Sequence, residues 1–191
     1  LRPDVDFRLL PQPQPVATGP RIEVIDFFFY PCPYCADLAP LVERWAKRQP
    51  EDVALRHVPV VRHDSWAPLA KIYYTLEALG EVGRLHLAVF RGYHADGLAL
   101  GDEKVVAAWA TGQGLESEKF MAIYRSDDVR LRVERARRMT RDYDIQSTPS
   151  IVVDGRFLTS SSMTPGVGDV MPIVDGLVRL ARQRRERGER P

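Results

Sequence analysis

"DFFFYPCPYC" (residues 26–35) closes the most hydrophobic run of the chain and holds its two cysteines, Cys32 and Cys35. Upstream, "RIEVIDFFF" (21–29) is nearly continuous in apolar residues, which suits a central strand buried on both faces. Pro31 breaks it. From Pro33 the period changes: Leu38, Leu41, Val42 and Trp45 recur at three- and four-residue spacing, a helical stripe. Pro40 lies inside the stripe and is expected to kink the helix rather than end it. "DVALRHVPVV" (52–61) is a second strand. The order is strand, CxxC turn, helix, strand.

Four chemistries compete for such a cysteine pair: a redox disulfide, half a metal site, a structural staple, or two inert core thiols. Cys32 falls where the helix begins. Unsatisfied N–H groups and the helix dipole there favour a thiolate over a thiol. Pro33 suits the first helical turn, where its missing N–H costs little. Cys35 comes one turn later on the same side, within reach of Cys32. A nucleophilic thiol backed by a second one is the machinery of thiol–disulfide exchange. A metal site needs about four ligands. No other cysteine exists, and His57, His63, His86 and His94 show no ligand pair beside a second CxxC, so no metal is expected. A staple over so short a loop constrains the unfolded chain little. The redox reading leads, with the other three ranked below it.

The rest of the chain divides by pattern. "PQPQPVATGP" (11–20) reads as an extended connector. From about 65 to 142 no strand pattern appears. "WAPLAKIYYTLEALG" is an amphipathic helix with Gly80 as its stop, and "DEKVVAAWATGQG" has an acidic start and a glycine stop. "DDVRLRVERARRMTRDY" carries acids early and bases late, as the macrodipole favours. "TPSIVVDGRFLT" (148–159) returns to strand, with Asp154-Gly155 as a hairpin turn. A final helix follows, with Asp169 expected to cap it. The expectation is an α/β fold with residues 1–64 and 143–191 in one domain and 65–142 inserted as an all-helical one.

Composition excludes some functions. At 45% hydrophobic and 28% charged residues the chain is of ordinary globular usage, and a core forms without staples. A formal net charge of +1 gives no case for a nucleic-acid partner. No apolar run approaches the ~18 residues of a membrane span.

These features together resemble the thioredoxin superfamily and, within it, the DsbA-type thiol oxidases of the bacterial periplasm. Three carry the resemblance: "DFFFYPCPYC", the helical stretch between the second strand and the hairpin, and "QSTPSIVVDGRF". The resemblance implies a thioredoxin fold with a helical insertion. It implies that Cys32 attacks and Cys35 resolves, and that Pro149 is the family's cis-proline, which faces the disulfide. Thr148 precedes that proline and offers its backbone to substrate. It implies that reduced or unfolded exported proteins are oxidised, and that a DsbB-like membrane quinone reductase restores the disulfide. It also implies a periplasmic location, no cofactor and a monomer. One departure stands out. The usual DsbA dipeptide is Pro-His, whereas this chain has Pro33-Tyr34, the dipeptide of glutaredoxins. A glutaredoxin-like reductase or isomerase is therefore the alternative within enzymes. A non-catalytic thioredoxin-fold peptide-binding module is the alternative outside them.

Two more residues are singled out. Asp26 is a carboxylate inside an apolar strand, costly to bury alone. It lies six residues before Cys32, where thioredoxin relatives carry an acid that exchanges protons with the resolving thiol. The plainer reading is an acid satisfied by a lysine or a backbone amide. Tyr34, between the cysteines, is expected to be exposed and to tune the Cys32 thiolate. Phe27, Phe28 and Phe29 are expected in the core, and the histidines on the surface or in structural roles. The basic end "RLARQRRERGER" reads as a solvated helix terminus and tail.

Overall fold

Seven consecutive buried residues, Ile22–Phe28, make the strand β2. The computed structural model describes residues 1–189. Chain order before β2 includes a two-residue strand, β1 (Arg8–Leu9). After it come helix α1 (Pro33–Ala46) and strand β3 (Val53–Pro59). Helices α2 (Ala67–Ala78), α3 (Val82–His94), α4 (Glu103–Gly112), α5 (Ser117–Tyr124) and α6 (Asp127–Asp142) follow. Strands β4 (Ser150–Val153) and β5 (Phe157–Ser160) and helix α7 (Val170–Glu186) complete the chain.

The strands form one sheet in the order β1-β5-β4-β2-β3. Antiparallel pairing joins β2 to β4, with Val24 opposite Val153 and Phe27 opposite Ser150. Pairs β4–β5 and β5–β1 are antiparallel too. The Ile22 N–H donates to the Asp52 carbonyl at 2.7 Å. The starts of β2 and β3 are therefore adjacent and the two strands run the same way, as a helical crossover requires.

The chain divides into two compact units. The first comprises Leu1–Phe28, Asp37–Val58 and the described residues from Arg141 onward. Its core is built on one face of the sheet from Ile22, Val24 and Ile151, with Leu38, Val42 and Trp45 of α1 and Val174 and Leu177 of α7. Trp45 Nε1 donates to Asp175 Oδ1 at 2.7 Å, so the two helices are pinned to each other at a polar point. At the hairpin, Asp154 (φ 53°) and Gly155 (φ 62°) both take the left-handed conformation, and the Arg156 N–H donates to the Val153 carbonyl at 3.1 Å to close the turn. Arg185 of α7 holds the Asp154 carboxylate, Nε to Oδ2 at 3.0 Å. The Gln14 N–H donates to the Gly155 carbonyl at 2.8 Å, so the proline-rich connector is fixed on this turn.

The second unit comprises Phe29–Ala36 and Pro59–Thr140. In it α2 packs on α3 and α5, and α4 on α5. Asp102 caps α4 by accepting from the N–H groups of Lys104 and Val105 at 2.8 and 3.1 Å. Gly80, at φ 70°, follows the end of α2 as a stop. At α7 the expected cap differs: Asp169 occupies the position before the helix without a side-chain bond to it. A single turn of 3-10 helix, Val167–Asp169, feeds α7 instead and leaves Asp169 in helical dihedrals, from which a side chain does not reach back to the first turn.

Candidate active site

The two cysteines occupy different environments on one helix. Cys32 donates its N–H to the Phe29 carbonyl at 2.9 Å, closing a turn over Tyr30 and Pro31. Its own carbonyl accepts from Ala36 N at 3.1 Å, the first bond of α1. Cys32 is thus the residue from which the helix starts, with Pro33 as its first member. Cys32 is half-buried; Cys35 is 2% exposed. Tyr34, between them, is 60% exposed, as its position predicts. A thiol open to an incoming sulfur and a second one shielded a turn deeper is the asymmetry that directional exchange needs. Of the three phenylalanines before the turn, Phe27 and Phe28 are core residues, whereas Phe29 is half-buried and stacks on Trp66 at 3.9 Å.

Asp26 lies in β2, 3% exposed. Its partner is neither a lysine nor an amide. His57 of β3 approaches it, Nδ1 to Oδ2 at 3.0 Å, and presents its other nitrogen to Glu43 of α1, Nε2 to Oε1 at 3.1 Å. A carboxylate only accepts, so an imidazole between two of them must donate from both nitrogens and is a cation. Burial works against that charge, but the hydrogen bonds and the fields of Asp26 and Glu43 prevail and raise the His57 pKa to about 9. The Asp26–His57–Glu43 series escaped the sequence reading, which gave His57 a structural or surface place. Its signal was an acid in one core strand and a histidine in the next.

Thr148 is half-buried and Pro149 is buried, and the peptide bond between them is cis, as the resemblance implied. They lead directly into β4, whose first residue, Ser150, pairs with Phe27 of β2. Cys32, Pro33, Tyr34 and Cys35 belong to the second unit; Asp26, Thr148 and Pro149 belong to the first.

Comparison with known proteins gives a consistent result. The profile of the DSBA-like thioredoxin domain matches residues 23–171. A thiol:disulfide interchange protein DsbA from Bordetella parapertussis is 38% identical over 172 residues, which span 90% of this chain and 82% of that one. The protein of the same description from Burkholderia cepacia is 32% identical over 181 residues, covering 94% and 85% of the two chains. The crystal structure of Pseudomonas aeruginosa DsbA superposes with a TM-score of 0.92 at 26% identity, covering 97% of each chain. Among the described residues no helix is long and apolar enough to cross a membrane. The fold is the thioredoxin fold as these relatives elaborate it. The chain belongs to the DSBA-like thioredoxin domain family, as a protein-disulfide oxidoreductase of the DsbA type.

Proposed function

We propose that this protein works as an oxidant, introducing disulfides into exported proteins through Cys32 and Cys35. The observation that carries this reading is the unequal exposure of the two sulfurs at the start of α1. In the oxidised protein a substrate thiolate attacks Cys32 Sγ and the Cys32–Cys35 bond breaks. Cys35 leaves as a thiolate and takes a proton. A second substrate thiolate then attacks the substrate sulfur of the mixed disulfide and expels the Cys32 thiolate. The substrate loses two electrons and becomes bridged; the protein ends as a dithiol. The N-terminus of α1 stabilises the Cys32 thiolate, which favours the reduced state and makes the disulfide a stronger oxidant.

The other residues take supporting roles in this reading. Asp26, paired with His57, exchanges a proton with Cys35 as that sulfur leaves Cys32. Pro33 starts the helix, and Tyr34 tunes Cys32 and meets substrate. Thr148 and Pro149 bind the substrate backbone. Residues 1–64 and 143–191 serve as the thioredoxin-like domain and 65–142 as its helical insert. The substrates are reduced proteins in the periplasm, and a DsbB-like membrane quinone reductase returns the dithiol to the disulfide. The working form is a monomer. Pro33-Tyr34 is the feature that favours the second reading, a glutaredoxin-like reductase.

Redox equilibrium with glutathione distinguishes the two. An oxidant stays reduced in a buffer that is mostly oxidised glutathione, and transfers its disulfide to a reduced dithiol peptide in a single exchange. A protein that instead holds its disulfide in reducing buffer and reduces a bridged peptide is a reductase, and the proposal fails.

A further inference from the structure

Helix α3 places His86, Phe90 and His94 at four-residue intervals, hence on one face. All three engage Tyr30. The Tyr30 hydroxyl lies 2.9 Å from His86 Nδ1. The Tyr30 ring meets Phe90 edge to face with centroids 4.8 Å apart. His94 Nε2 donates to the Tyr30 carbonyl at 2.7 Å. Tyr30 is 1% exposed and His86 2%, so the grip on the phenol end is buried. His94, the last residue of α3, is exposed.

The carbonyl that His94 holds belongs to the peptide Tyr30–Pro31. Proline brings no N–H, so that peptide has one hydrogen-bonding group, the carbonyl. The same turn is closed by the bond from Cys32 N–H to the Phe29 carbonyl. Both hydrogen bonds hold the backbone that delivers Cys32 to the start of α1, and the His94 bond comes from a side chain of the helical unit.

We infer that His94 is a positioning residue for Cys32, and that the His86–Phe90–His94 face of α3 is a clamp that sets the active-site turn through Tyr30. His94 touches neither the sulfur nor a substrate in this role. It fixes the plane of the Tyr30–Pro31 peptide, and with it the direction of the Cys32 N–H and Sγ relative to the helix N-terminus. The functional consequence rests on the assignment of Cys32 as the attacking thiol.

The experiment compares wild type with His94→Ala and His94→Gln, whose amide restores a donor of similar reach. Two quantities are read in the reduced protein: hydrogen exchange at the Cys32 amide and the Cys32 thiol pKa from thiolate absorbance. In His94→Ala we expect exchange about tenfold faster, because the turn opens locally. We also expect the Cys32 pKa to rise by about half a unit or more, because the thiolate loses its alignment with the helix end. Thermal midpoint should stay near wild type, since His94 is exposed, and His94→Gln should recover both quantities. Unchanged exchange and pKa in His94→Ala overturn the inference. So does an exchange change without a pKa change, or an equal loss in both variants. If wild-type Cys32 itself proves unreactive, the reading under Proposed function falls, while the exchange measurement still decides whether the clamp exists.

Discussion

His57 Nδ1 stands 3.0 Å from Asp26 Oδ2, and the same ring reaches Glu43 with its other nitrogen. Asp26, the acid of the active-site strand that the sequence marks for proton exchange, is thus half of an ion pair inside the protein. That pairing governs how stability responds to pH.

The folded protein holds the His57 proton up to about pH 9, from an ordinary value of 6.5. Between those limits the native state keeps a proton that the unfolded chain has released. The contribution is full below about pH 6.5 and is lost as pH rises through about 9, and its size is on the order of 3 kcal/mol. Urea unfolding of the oxidised protein, in which neither thiol titrates, should show stability falling across this window. His57→Gln should flatten the slope. A wild-type profile as flat as that of the variant contradicts the assignment.

Removing the histidine alone should cost more than removing the pair. His57→Ala leaves the Asp26 carboxylate buried without its cation, a loss of about 3–5 kcal/mol for pairs of this kind. Asp26→Asn with His57→Gln replaces charge by neutral amides and should recover a large part of it. Denaturant midpoints of the single and double variants measure the coupling. Additive losses mean the two side chains do not act as a pair.

Cys32 should be the thiol that alkylates quickly in the reduced protein near neutral pH, since Cys35 is 2% exposed. A short iodoacetamide pulse followed by peptide mapping reads the distribution. Faster labelling of Cys35 would reverse the proposed order of attack and resolution.

Gly155→Ala should destabilise the first unit. The position has φ 62°, and a Cβ there would run into the Gln14 carbonyl oxygen. Strain of about 1–3 kcal/mol is expected from the dihedral alone. The connector must then lift from the hairpin. Limited proteolysis should cut within residues 11–20 faster than in wild type, and an unchanged cleavage rate would argue that the connector is not seated on this turn.

Tyr34→His should make the protein more oxidising. A histidine beside Cys32 can carry positive charge or donate towards the sulfur, and both favour the thiolate. Tyrosine brings no charge. Each unit by which the Cys32 pKa falls corresponds to about 30 mV of potential for a two-electron couple. Glutathione equilibrium and thiolate absorbance are measured together. If neither moves, the dipeptide does not set the potential.

Local pattern made much of this legible. The apolar run of β2, the helical stripe of α1 and the Asp154-Gly155 turn are each written in a few adjacent residues. The cysteines stood out because their neighbours announce a strand end and a helix start, and Asp26 because it is a charge inside an apolar strand, whereas Pro149 was marked by the family resemblance. What stayed hidden depends on distant partners. β1 is two residues long and is a strand because β5 lies beside it. His57 gained its place from Asp26 and Glu43, which come from another strand and from a helix. The grip of α3 on Tyr30 requires knowing which way a helical face points. Asp169 sits where a cap belongs, but a 3-10 turn chosen by the preceding residues takes over its task.

The pairing of β2 with β4 also has a kinetic consequence. Val24 to Phe27 find their partners in Ser150 to Val153, on the far side of the whole helical stretch of the chain. Contacts between neighbours in sequence form early, and contacts that close long loops form late and slowly. The α2–α6 helices can therefore assemble while the sheet is still open. During synthesis, N-terminus first, β2 must wait for the last quarter of the chain to emerge. Through that interval its apolar residues lack their β4 partners, and the Cys32–Cys35 segment is carried by an unfinished sheet. The nascent protein is then itself a reduced, unfolded polypeptide with two thiols, of the class that its mature form is proposed to oxidise.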